Sequence, residues 1–268
     1  MKATIGRCLH IPRQGRSLLV VPALPVVSAM IWGCLVLAPY VECPLETYAV
    51  ASLGNRAAAP QAKPPDTDLW NVRWGDLHDA YVQRAARGGV DLLFLGDSIT
   101  YRWMYEGFPV WLANYSAMRA AAFGISGDRV ENVLWRIQNG ELDGIEPRAI
   151  VLMIGTNNLG RDTPSEIAEG IGVLLTEIRR RVPRSRVVLV GLLPRNDNEQ
   201  RVTDPRTFEV NDRLREFADC AVRFVDIAAL YLASDGQVRR DLLPDGLHPN
   251  AGGYAVYAQA IRPVLEAP

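Results

Sequence analysis

Histidine is scarce in this chain of 268 residues, which holds three, and no group of His, Cys and carboxylates shows metal-ligand spacing. A metal enzyme is therefore disfavoured, and neither a metal nor a cofactor is expected. Neither sign of charge is in excess. With 29 Lys and Arg against 30 Asp and Glu, the formal net charge is -1, and the electrostatic footprint of a nucleic-acid binder is missing. The one dense basic run, Arg179-Arg180-Arg181, closes a predicted helix, where cations complement the dipole. No Gly-rich phosphate loop precedes a helix in the pattern of a nucleotide or flavin binder, and no internal repeat is found. The G-x-S-x-G elbow is also absent, because Gly96 is followed by Asp97-Ser98-Ile99-Thr100 with no second glycine.

What is present divides unevenly. Lys2, Arg7, Arg13 and Arg16 precede an uncharged apolar run from Ser17 to Ala38. A basic start followed by such a run is the signature of a segment that enters a membrane, and this one is long enough to span. Pro22 and Pro25 weaken it as a permanent helix. Residues 1–51 are thus expected to be a signal peptide or a membrane anchor, with small residues at Ala49-Val50-Ala51 for cleavage. The enzyme is expected outside the cytoplasm, periplasmic or extracellular, or tethered through residues 17–38. Residues 52–68, rich in Ala and Pro without an apolar period, read as a linker. Cys8, Cys34 and Cys43 fall in the leader, which leaves Cys220 alone in the domain at 69–268, as a buried small hydrophobe.

From Leu69 onward the pattern alternates. Short apolar runs at Val90–Leu95, Arg119–Phe123, Ala149–Ile154, Val187–Leu192 and Val222–Ile227 read as strands buried on both faces. Between them Val130, Val133, Leu134 and Ile137 form one helical stripe, and Ile167, Ile171, Leu174, Leu175 and Ile178 another. Thr163-Pro164-Ser165-Glu166 starts the second with a cap, a first-turn proline and a capping-box glutamate. Phe208, Leu214 and Phe217 mark a third helix, and Ala251 to Leu265 a last one. The alternation predicts a doubly wound α/β fold: a flavodoxin-like, five-stranded parallel sheet in the order 2-1-3-4-5, with helices on both faces. In such sheets ligands bind beyond the carboxyl ends of the strands.

Small and polar residues gather at those ends: Gly96-Asp97-Ser98, then Gly124 to Asp128, then Gly155-Thr156-Asn157-Asn158, and after the fifth strand Asp245-Gly246-Leu247-His248. Singly each has a plain explanation, since Ser98 and Asp128 could cap helices and the Gly and Asn residues could serve turns. Together they offer what acyl transfer needs: a nucleophile, a base and a group orienting that base. His10 lies in the leader and His78 in an amphipathic helix, so His248 is the base. Gly246, with Pro244 and Pro249, favours a bend that would bring Asp245 to one imidazole nitrogen while the other faces Ser98.

Gly-Asp-Ser-Ile-Thr, the isolated Gly127, Gly-Thr-Asn-Asn and Asp-Gly-Leu-His resemble, in order, the four sequence blocks of SGNH (GDSL-type) hydrolases. Phe123 to Asp128, Val133 to Leu142, Gly155 to Asn158 and Gly191 to Arg195 resemble the catalytic subunits of platelet-activating-factor acetylhydrolase and their bacterial relatives. The resemblance runs from about Val90 to Leu265, and no counterpart in the mammalian subunits is assigned to the stretch before Trp70. It implies the SGNH fold, Ser98 as nucleophile, Asp245 and His248 completing a triad, and an oxyanion hole from the N–H groups of Ser98 and Gly127 and the Asn157 amide. Asp97 would then shape a loop rather than act as an acid. The expected reaction is hydrolysis of short-acyl esters, acetyl foremost, on a small ester or an acetylated glycan. The alternatives are O-acetyl transfer to a glycan by the same triad, and a non-catalytic membrane-tethered binding protein. Trp103, Trp111 and Trp135 are expected in packing roles, and the loop Pro194–Pro205 at the border of the site.

Overall fold

The structure, a computed structural model, describes residues 43–44, 47–69, 72–197 and 202–267. Five parallel strands, β1 (Leu92–Gly96), β2 (Ala120–Gly124), β3 (Ala149–Met153), β4 (Arg186–Val190) and β5 (Val222–Val225), lie in the order β2-β1-β3-β4-β5. That is the predicted 2-1-3-4-5 sheet. The register sets Gly96 beside both Gly124 and Met153, so the ends of the three neighbouring strands meet at one edge.

Alternation along the strands divides the core. Leu93, Leu95, Ile150, Leu152, Val187 and Leu189 face one layer, formed by α1 (Trp74–Ala86), α4 (Val130–Arg136), α5 (Pro164–Arg181) and α6 (Arg206–Leu214). Leu92, Phe94, Val151, Met153 and Val188 face the other, formed by α3 (Phe108–Tyr115) and α7 (Ala251–Glu266). A four-residue turn of helix, α2 (Ser98–Tyr101), follows β1 directly. Both helical stripes point inward as expected. Ile167, Ile171, Leu174, Leu175 and Ile178 are fully buried, each stabilising the fold by roughly 1.5–3 kcal/mol. The Thr163–Glu166 capping box forms. Trp103 and Trp111 are buried core residues.

Some elements shift. Arg119, expected in the second strand, has φ +48, a conformation no strand residue holds, and forks onto Asp91 instead. Val210 and Leu214, not Phe208, form the core face of α6. Arg179 is buried and donates to the carbonyls of Pro183, Ser185 and Cys43, while Arg180 and Arg181 pair with the Glu177 carboxylate.

The largest departures lie before α1. Cys220 is not alone: it is disulfide-bonded to Cys43. Tyr48 donates from its backbone N–H to Thr176 and from its hydroxyl to Asp219, and Ser52 bonds Glu169. Nor is the stretch 52–68 a free linker. A helical turn at Arg56–Ala58 buries Ala57 and Ala58 against α5, and Gln61 exchanges hydrogen bonds with Glu131 and Asn132. Alanine and proline supply no apolar period, yet small side chains let a backbone lie flat on a helix and bond to it. Among the described residues no helix is long and apolar enough to cross a membrane; the apolar run 17–38 lies outside them.

Candidate active site

The β1–α2 junction presents Ser98 as the first residue of α2. Asp97 caps that turn, its Oδ1 accepting the Ile99 N–H at 3.0 Å. The Asp97 carboxyl is wholly buried and its Oδ2 makes no hydrogen bond among the described residues. Burial pushes its pKa up to about 7. It shapes the loop, as the resemblance implied.

Ser98 Oγ lies 3.0 Å from His248 Nε2, and His248 Nδ1 lies 2.6 Å from Asp245 Oδ2. With a carboxylate on Nδ1, that nitrogen carries the proton and Nε2 is left to accept from the serine hydroxyl. The bend that joins them is the expected one. Gly246 sits at φ +83, which only glycine holds without strain, and a Cβ there would fall 2.4 Å from Asn196 Oδ1. Asp245 Oδ1 accepts the N–H groups of Leu247 and His248 at 2.9 and 2.7 Å. Partial burial opposes ionisation of Asp245. The backbone and imidazole hydrogen bonds outweigh it and hold the carboxyl below its usual pKa. Asn250 caps α7 immediately afterwards, so the helix pins the end of the loop.

The other side of the site is laced across loops. Gly127 has φ +71, with its carbonyl-side neighbour Asp128 fully buried. Asn157 Nδ2 donates to the Asp128 carbonyl at 2.8 Å, and Arg129 Nε donates to the Asn157 carbonyl at 3.0 Å. Asn158 Oδ1 accepts the Val130 N–H, while its amide donates to Glu131 and Asp162. The Asp128 carboxylate accepts from Trp74 Nε1 at 2.9 Å and pairs with Arg136 at 3.0 Å and Lys63 at 2.9 Å. Arg136 is fully buried, pairs also with Glu141, and donates to the carbonyls of Gly96 and Phe123 at the ends of β1 and β2. His78, on α1 as expected, packs inside the fold, stacked on Trp74 and bonded to Glu141.

The structure thus brings Ser98, Asp245 and His248 into one hydrogen-bonded line, and sets Gly127 and Asn157 on adjoining, cross-linked loops. Lys63, Arg129 and Arg136 escaped the sequence reading. Arg136 stands inside a quoted block, Val133 to Leu142, but an arginine on a helix carries no sign that it will be buried. Two recesses adjoin the site. One of about 240 Å³ is lined by Leu69, Val72, Tyr101, Tyr105 and Ser126 among others, and one of about 350 Å³ by Asn157, Arg195, Asp197, Asp204 and Arg206 among others.

The model of the GDSL-like Lipase/Acylhydrolase family matches residues 94–256. Platelet-activating factor acetylhydrolase IB subunit alpha2 of Homo sapiens is 32% identical over 213 residues, covering 79% of this chain and 90% of its own. The alpha1 subunit of Bos taurus is likewise 32% identical, with the same coverage. Residues 70–268 alone are too few for that coverage, so the match reaches into the stretch before Trp70 for which no counterpart was expected. Among solved structures, a GDSL-like lipase from Bacteroides thetaiotaomicron superposes with a TM-score of 0.59 at 19% identity, over 70% of this chain and 97% of that one. A catalytic variant of an acetylxylan esterase from Geobacillus stearothermophilus does so at 0.51 and 20%, over 68% and 96%.

Proposed function

This chain belongs to the GDSL-like lipase/acylhydrolase family and is a carboxylic ester hydrolase, and from that premise we propose that it cleaves short-acyl esters, acetyl first among them, with Ser98 as nucleophile. The observation that carries this reading is the unbroken line from Ser98 through His248 to Asp245. His248 takes the hydroxyl proton as Ser98 attacks the ester carbonyl. The resulting oxyanion accepts from the N–H groups of Ser98 and Gly127 and from the Asn157 amide, one of whose donors is already committed to Asp128. On collapse the imidazolium gives its proton to the departing alcohol, leaving an acyl-enzyme. Water, deprotonated by the same histidine, then releases the acid and restores Ser98.

The acetyl preference is supported by relatives named as acetylhydrolases. The recess beside Asn157, which we take to receive the alcohol, holds Arg195 paired with Asp197 and Arg206 paired with Asp204. Charges that cancel in pairs leave a polar, neutral surface, which suits a hydroxyl-rich alcohol such as a sugar. Rates on p-nitrophenyl acetate, butyrate and octanoate, and on an acetylated oligosaccharide, test both points. Acetate should be fastest, and Ser98→Ala should lose activity by orders of magnitude while staying folded. Faster turnover of octanoate would defeat the acyl assignment, and a fully active Ser98→Ala the mechanism.

We place the enzyme outside the cytoplasm, because the apolar run 17–38 follows a basic flank and because disulfides persist in oxidising compartments. Since Cys43 is bonded into the fold, processing ahead of it fits better than the expected cut at 49–51. Esterase activity confined to the cytosolic fraction, with Cys43 and Cys220 open to thiol reagents, would contradict this.

A further inference from the structure

Between the Arg56–Ala58 turn and α1 the chain runs as a strap along the start of α4 and the loop that carries Gly127. It is fixed on both sides of Lys63. Upstream, the Gln61 N–H donates to the Glu131 carbonyl at 3.0 Å and its own carbonyl accepts from Asn132 at 2.8 Å. Downstream, the Pro65 carbonyl accepts the Gly75 N–H at 3.0 Å and the Thr67 carbonyl that of Trp74 at 2.9 Å. Between these fixtures the Lys63 side chain turns inward, with 19% of its surface exposed. Its ammonium donates to the Ser126 carbonyl at 3.2 Å and pairs with the Asp128 carboxylate at 2.9 Å. Those are the two residues flanking Gly127. A Cβ placed on Gly127 would come 3.4 Å from Nζ, so the cation lies directly against the glycine it brackets.

We propose that Lys63 is a positioning residue for the oxyanion donor: its ammonium clamps both neighbours of Gly127 and thereby aims that N–H at the developing negative charge. The inference rests on the assignment of Ser98 and Gly127 above. Gly127 gains its reach from a left-handed backbone that a glycine leaves as easily as it enters. Nothing in its own side chain holds it there. An oxyanion donor is effective because it is already oriented when charge appears, so a loosened peptide loses rate rather than ground-state affinity. The clamp comes from outside the span matched by the family model, 94–256; on this proposal the strap acts with the catalytic residues and is not a spacer before them.

The test is carried out on the full, disulfide-bonded chain with p-nitrophenyl acetate. Lys63→Met removes the charge and keeps the aliphatic stem. Its kcat should fall roughly 10- to 100-fold with KM within about twofold, as expected for a misaimed donor; Arg136 and Trp74 still hold the Asp128 carboxylate, so the melting temperature should drop only modestly. Lys63→Arg should recover most of kcat, and added n-alkylammonium should partly rescue Lys63→Ala while leaving the parent unaffected. An unchanged kcat in Lys63→Met overturns the proposal. So does a loss seen only in KM, or one that tracks a drop in melting temperature and is restored by neither arginine nor amine. Ser98→Ala in the same assay separates the two readings. If it is inactive while Lys63→Met is fully active, the clamp alone is wrong; if it is active, the site assignment itself falls.

Discussion

The two halves of the site are built in opposite ways. The base half is local. Asp245 and His248 stand three residues apart, the carboxylate bonds both the imidazole and the backbone N–H of its partner, and the Asp245 side chain is half exposed. The oxyanion half draws on the ends of β1 and β2, the loop after β3, α4 and the strap, through a hydrogen-bonded amide and largely buried ionic groups. A loop that satisfies its own polar groups can be moved or altered with little effect on the fold. A set of buried charges that bridges two strand ends cannot, because each charge left unpaired carries a desolvation penalty of several kcal/mol.

That contrast predicts a separation of activity from stability. His248→Ala should cost on the order of 10⁴–10⁶ in kcat, as removal of a member of such a unit does, while shifting unfolding free energy by less than about 1 kcal/mol. A comparable loss of stability would show that the histidine loop also holds the fold together. Arg136→Met reverses the pattern. It leaves the buried Asp128 and Glu141 carboxylates without their shared cation and releases two strand-end carbonyls, so urea unfolding should register a loss of about 3–5 kcal/mol. A loss below about 1 kcal/mol would mean that Lys63 and Trp74 suffice to keep Asp128 satisfied.

The third effect belongs to Asp97, and it is read in pH. Its carboxyl keeps its proton up to about 7 when folded but releases it near 3.8 when unfolded. Between those values the folded chain holds more protons, so this group lowers stability as pH rises through the window, and the deficit is constant above it. Asp97→Asn keeps the acceptor for the Ile99 N–H without ionising. The variant should gain on the parent between pH 4 and pH 7 in paired denaturation curves, then hold that gain at pH 8. An equal difference at pH 4 and pH 8 would refute the buried-acid account. Asp245, held below its usual range by hydrogen bonds, contributes in the opposite direction and at lower pH.

The sheet was legible because strands buried on both faces must be apolar throughout, and the helices because their stripes keep a 3.6-residue period. The Asp245–His248 pairing was legible for a related reason, since three residues and a glycine set the geometry almost alone. The strap was not. Its alanines and prolines show no period, and its hydrogen bonds are made by backbone groups that every residue possesses. Cys43 was assigned to the leader on proximity to the apolar run, although its partner stands 177 residues away.

Local order along the chain therefore determined the strand and helix pattern, the chemistry available at the strand ends and the bend that aims the base. Only the packed structure decided which charges would be buried together, that Cys43 and Cys220 would join, and that a lysine ahead of the recognised domain would lie against Gly127. The reason is physical. Periodicity and turn chemistry act between near neighbours, whereas desolvation is set by whatever the rest of the chain brings alongside, and no residue carries a mark of its distant company.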